Sequence, residues 1–225
     1  MLTLSLLTYA PGVLALPAIS YRTNTIEGWT VLVNEKLLVK NQSGTEQALQ
    51  LMGSQLREIV RLVPAKVVTK LRGVKLWFSP EYPNTRPTAE YHPDANWLRD
   101  HGRDEAMARG VEFTNIRIFA AEAKRMPNFV LHELAHAYHH QFLANGYSNA
   151  EIATAYDRTK ASGTYEKVER WNGDGHSKTH ERAYAMSNPM EYFAESTEAF
   201  FGRNDFSRST ARSYASMTPK WNGCW

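Results

Sequence analysis

The chain has 225 residues, 43% of them hydrophobic and 12% aromatic, which is enough for one domain with a sizeable core. Its net charge of +3 is mild, and no block of Lys and Arg is interleaved with aromatics, so a nucleic-acid surface is excluded. The single cysteine, Cys224, stands at the far end, so no internal disulfide exists and stability must come from packing.

Residues 1–18 are uncharged, the first charge being Arg22, and the apolar run is too short and too broken by Pro11-Gly12 to span a membrane. The run closes on Ala15 and Ala18 in the manner of a secretory cleavage site. It reads as a signal peptide of a secreted protein, with an N-terminal strand or leader as the alternative. The sequon Asn41-Gln-Ser43 agrees with export wherever a eukaryotic secretory route is used. The catalytic domain is expected over residues 19–206. Thr30 to Asn34 reads as a strand, and Ser43-Gly-Thr-Glu46 as a capping box opening a helix that runs to about Val63. Leu49, Met52, Leu56, Ile59, Val60 and Val63 recur at helical spacing, the mark of a core face. Pro64 to Arg72 suits a second short helix and Val74 to Phe78 a strand. In the Pro-rich stretch 80–93, His92 reads as a surface residue, with a place in a substrate cleft as the alternative. Val111 to Phe119 alternates like a strand.

The most specific feature is His132-Glu-Leu-Ala-His136, set inside the run from Phe129 to Phe142. On a helix, His132 and His136 share one face, where two neutral imidazoles can grip one Zn²⁺. Glu133, one position round, stands beside the metal's open site as a proton acceptor. Val130, Leu131, Leu134, Ala135 and Ala137 give the apolar flank of a buried helix. Pro127 suits its first turn and Asn145-Gly146 its stop, a helix of roughly 17–18 residues. The bland alternative is a core helix whose histidines bond only to carbonyl groups. A third protein ligand is needed. One subclass takes it from a His six residues beyond the second, after a Gly, but Phe142 and His139 occupy those places. His139 and His140 are left with structural roles.

Asn149 to Ser162 looks helical, ending at Gly163, and Tyr165 to Trp171 looks like a strand leading into the turn Asn172 to Gly175. His176 and His180 follow it and rival the other ligands only in principle. From Ser187 to Phe201 a further helix is expected, with Asn188 as N-cap and Pro189 as its first residue. Glu191, Glu195 and Glu198 form one stripe on it, costly to bury beside aromatics unless a cation or donors satisfy them. Glu191 is the preferred third ligand and Glu195 the runner-up. The alternatives are a capping-box role for Glu191 and a solvated Glu198. Residues 207–225 form an unplaced, solvated tail.

Together, His132-Glu-Leu-Ala-His136 and Glu191-Tyr-Phe-Ala-Glu195 resemble the Glu-zincin metallopeptidases, the group that includes the anthrax lethal factor catalytic domain and its secreted relatives. The resemblance is specific over 129–142 and 182–201. It implies that Glu191 is the third zinc ligand and that Glu195 orients a zinc-bound imidazole. It also implies that Tyr184, seven residues before the ligand, donates to the reacting oxygen. It further implies that the strand just upstream of the zinc helix, 111–119, is the sheet edge that pairs with an extended substrate.

The expected protein is thus an α+β zincin: a small mixed sheet, an active-site helix and a helical C-terminal part. Its expected activity is hydrolysis of a peptide or protein substrate by a Zn²⁺-held water that Glu133 deprotonates. A different class remains open: a secreted, zinc-stabilised binding or toxin-like module without turnover. The retained Glu133 argues against it, because structural zinc needs no base.

Overall fold

The computed structural model describes residues 20–171, 178–202 and 205. β1 (Tyr21–Ile26) and β2 (Trp29–Asn34) form a hairpin. Its two turn residues, Glu27 and Gly28, both have positive φ, which matches the twist of the strands. α1 (Glu35–Lys40) and α2 (Gln42–Leu62) follow. The cap of α2 is Asn41, whose side-chain oxygen accepts from the Gly44 N–H at 3.2 Å. Ser43 therefore lies inside the first turn, and the expected capping box starting at Ser43 is replaced by an Asn cap two residues earlier. The buried residues of α2 include Met52, Leu56 and Ile59, as the apolar spacing requires.

α3 (Ala65–Leu71) leads into β3 (Leu76–Phe78), which lies parallel to β2. β4 (Ala89–Tyr91), α4 (Ala95–Asp100) and β5 (Val111–Phe113) come next. The sheet order is β1-β2-β3-β5-β4, with β5 parallel to β3 and antiparallel to β4. Leu76 and Phe78 point into the main core, while Trp77 between them points to the other face, against Leu98 and Met107.

This order corrects the expectation for 111–119. The strand there is only three residues long and lies inside the sheet, and the edge belongs to β4. The physical reason is local. Thr88 and Thr114 bond each other and draw the stretch before His92 onto the outer side of β5. Ile116 to Ile118 then wind into a 3₁₀ turn, and α5 (Phe119–Arg125) places Phe119 beside Phe78, Phe113 and Phe129.

α6 (Phe129–Phe142) is 14 residues long, shorter than expected, because Leu143 is already extended. Asn145 and Gly146 adopt the left-handed turn that follows. α7 (Ala150–Ala161) is capped by Asn149, and β6 (Val168–Trp171) pairs with β7 (Lys178–Glu181) in a separate ribbon. α8 (Pro189–Phe201) closes the domain, with Asn188 accepting from the N–H groups of Met190 and Glu191. The fold is α+β with a small mixed sheet, and helices make up its C-terminal part. Among the described residues no helix is long and apolar enough to cross a membrane. The readings made for residues 1–18, the turn at 172–175, His176, the tail at 207–225 and Cys224 lie outside the described residues.

Candidate metal centre

α6 runs through the main core, with Phe129, Val130, Leu134 and Ala137 buried almost completely. That burial fixes the helix's rotation, so His132 and His136 emerge together toward α8. α8 packs directly on α6, burying Tyr192, Phe193 and Ala194. Glu191 sits in its first turn, held by the Asn188 cap, and its carboxylate points at both imidazoles.

The donor atoms converge. His132 Nε2 and His136 Nε2 are 3.1 Å apart, Glu191 Oε2 is 3.1 Å from the first and 3.3 Å from the second. A tetrahedral ion with bonds of 2.0–2.1 Å sets its ligand atoms about 3.3 Å from one another. The three atoms therefore already stand at the spacing such an ion requires. Bare nitrogens facing each other at this distance would have their lone pairs opposed, with at most one proton to share. A divalent cation satisfies all three donors at once. Burial alone would raise the Glu191 carboxyl, but the two imidazoles outweigh it and hold it well below the usual carboxylate range.

Behind His132, the bond that sets the ring's orientation comes from Glu198. Its Oε1 accepts from His132 Nδ1 at 2.6 Å, while Glu195 Oε1 is 3.6 Å from the same atom. Of the two carboxylates, Glu198 stands nearer the His132 ring than Glu195, for which the family resemblance implies the orienting role, and the solvated alternative for Glu198 is wrong, since that residue is 1% exposed. The reason is the crossing of the helices: one further turn along α8 brings position 198 squarely behind the ring. Burial raises both carboxyls; repulsion from Glu198 adds to the rise at Glu195, and His132 offsets part of the rise at Glu198. His132, Glu195 and Glu198 also cluster closely enough to resemble a ligand set, but the short Nδ1 contact is that of a hydrogen bond.

Glu133 leaves α6 beside this centre. Its Oε2 accepts from the backbone N–H of Tyr91 on β4 at 2.9 Å. Burial raises its carboxyl, and His132 and His136 offset part of that rise. Tyr184 stands in a short 3₁₀ turn, with its ring centroid 6.5 Å from that of His132. It is 49% exposed. Burial of its ring and the nearby Glu191 carboxylate push its phenol up to about 12, so the hydroxyl keeps its proton at neutral pH and can donate it.

The remaining histidines are dispersed. His139 is buried between Phe193 and Tyr147, held neutral by burial and by His136 and His140. His140 bonds Tyr91. His180 lies exposed on β7, paired across the ribbon with Glu169. His92 lines no cleft: it is 2% exposed and bonded to Glu112 at 3.0 Å. The sequence offered one usable signal for Glu198, the i+7 position of the carboxylate stripe. It offered none for the contact between Tyr91 and Glu133, which joins residues 42 apart.

The model of the glucose-regulated metallo-peptidase M90 family matches residues 113–219, a stretch that holds α6, α8 and the side chains of His132, His136 and Glu191. The match supports a metallopeptidase, a hydrolase that works on peptide or protein substrates with a metal ion. Among solved structures, the chain is similar to the Pro-Pro endopeptidase from Paenibacillus alvei. The identity is 19%, over 76% of this chain and 88% of that one, with a TM-score of 0.41. No curated protein matches.

Proposed function

We propose that this protein is a zinc-dependent endopeptidase of the Glu-zincin type, with His132, His136 and Glu191 as ligands. The observation that carries the reading is the mutual spacing of 3.1–3.3 Å among three candidate ligand atoms from two helices. Two imidazoles and one carboxylate suit zinc, and they match the donor set of hydrolytic rather than purely structural sites. Bound there, the ion would supply a water of lowered pKa and an electrophile for the substrate carbonyl.

The chain's own groups do the rest. Glu133, whose carboxyl is raised by burial, takes a proton from the attacking water and returns it to the leaving amine. Tyr184 keeps its proton at neutral pH and donates to the developing oxyanion, an interaction worth roughly 2.7–4 kcal/mol where such donors have been removed in other enzymes. Glu198 holds the His132 ring by its Nδ1–H and keeps Nε2 free for the metal.

The test is Glu133→Gln, assayed against a mixed peptide library alongside zinc content by mass spectrometry. Hydrolysis should fall by about 10²–10⁴-fold while zinc stays bound. Equal cleavage by the two proteins would end the peptidase reading and favour a zinc-stabilised binding module.

A further inference from the structure

We infer that Tyr91 is a positioning residue for Glu133, and this rests on the peptidase reading above. β4 pairs with β5 from Ala89 to Tyr91, and the flanking Thr88 and His92 bond Thr114 and Gly110 on either side of β5. Backbone groups alternate along a strand, so the N–H of Tyr91 faces away from β5 and toward α6. Glu133 accepts that N–H at 2.9 Å. The bond engages Oε2 and leaves Oε1 as the oxygen that receives a proton.

The side chain of Tyr91 grips the same helix a second time. Its hydroxyl lies 2.8 Å from His140 Nδ1 and accepts from Gln141 Nε2 at 3.1 Å. Gln141 Nε2 also reaches the Arg109 carbonyl at 3.1 Å, tying the helix to the chain segment that enters β5. From Glu133 to Gln141 is about two turns of helix, or roughly 12 Å. One residue of the edge strand is therefore anchored to α6 at both ends of that span, which fixes strand and helix in register.

Tyr91 is 6% exposed, and burial pushes its phenol up to about 12. A phenylalanine would fill the same space without a buried hydroxyl to satisfy. The hydroxyl's own contribution is the tether. Without it, β4 is held beside the helix by ring packing and by the bond to Glu133 itself, and the carboxylate follows the strand when the strand drifts. Displacements well below 1 Å suffice to spoil proton transfer.

The decisive variant is Tyr91→Phe, which keeps the ring and the backbone N–H. Gln141→Leu and the double variant provide an independent route to the same tether. Tyr91→Phe should lower kcat by about 10-fold, leave KM within about two-fold and leave zinc content unchanged. Gln141→Leu should lower kcat as well, and the double variant should lose less than the product of the two. Amide hydrogen exchange gives a readout that needs no turnover. The residue-91 amide should exchange faster in Tyr91→Phe, and also in Glu133→Ala, whereas the Glu90 amide should not change. Unchanged exchange at residue 91 in both variants overturns the inference, as does a normal kcat in Tyr91→Phe. If the wild-type protein cleaves no peptide, the peptidase reading fails, and the exchange measurements still decide whether the tether exists.

Discussion

His92 and His132 are both buried among glutamates, and their surroundings differ in kind. On the sheet face away from α6, His92 bonds Glu112 at 3.0 Å, and Arg103 reaches the same oxygen at 3.1 Å. The other oxygen of Glu112 accepts from the Tyr82 hydroxyl at 2.8 Å, and Arg103 also binds Glu90 at 2.8 Å. The Arg103 guanidinium lies 4.8 Å from each of the Tyr82 and Trp97 rings. Each acceptor oxygen of Glu112 has a donor, so the cluster is closed. Around His132 the pattern is reversed, since Nε2 of both imidazoles and a carboxylate oxygen face one another. A closed polar cluster is architecture; one whose acceptors converge is built for a guest.

The largest effects should separate the two clusters. Glu191→Ala should abolish zinc binding, read as metal per folded chain, and leave the unfolding of the metal-free protein nearly unchanged. Glu112→Ala should do the opposite. It strands the His92 and Arg103 donors and should lower stability by about 3–5 kcal/mol in urea unfolding, while the folded fraction still binds zinc. Loss of zinc from folded Glu112→Ala would mean that the clusters are coupled, and the comparison would break.

A finer test lies within the metal cluster. Glu198→Gln should weaken zinc affinity by about 10–100-fold, as removal of a group that orients a ligand does. Glu195→Gln should weaken it less, since its oxygen is 3.6 Å from His132 Nδ1 against 2.6 Å for Glu198. Competition with a fluorescent chelator measures both. The reverse ranking would restore Glu195 as the orienting residue.

That pair also shows what was legible beforehand. The five-residue block on α6 and the carboxylate stripe on α8 are set by helical periodicity, so the convergence of His132, His136 and Glu191 could be expected without coordinates. Which of Glu195 and Glu198 meets the ring depends on the angle at which α8 crosses α6, and no local pattern encodes that angle. The sheet edge was misread for a related reason. Val111 to Phe119 alternates well, but alternation reports burial on one face and says nothing about which neighbour pairs outside it. The bonds between Thr88 and Thr114, 26 residues apart, decide that β4 takes the edge. His92 looked like surface because its stretch is rich in Pro, although Glu112 and Arg103 bury it.

The smallest effect concerns acid. Burial alone would raise the Glu112 carboxyl, but its contacts with His92 and Tyr82 outweigh burial and hold it below its ordinary value. A carboxyl depressed on folding adds stability that is fully present above the unfolded value of about 4.3 and is lost as pH falls through the folded one. Stability of the wild-type protein should therefore drop more steeply below about pH 4.3 than that of Glu112→Gln, which has no proton to gain. Both proteins must be compared free of metal, because a bound ion would be released as the pH falls and would mask the slope. Urea midpoints at half-unit steps of pH resolve the two limbs. Parallel limbs would show that Glu112 carries no charge-dependent load, and the closed cluster would then owe its stability to neutral hydrogen bonds and ring packing.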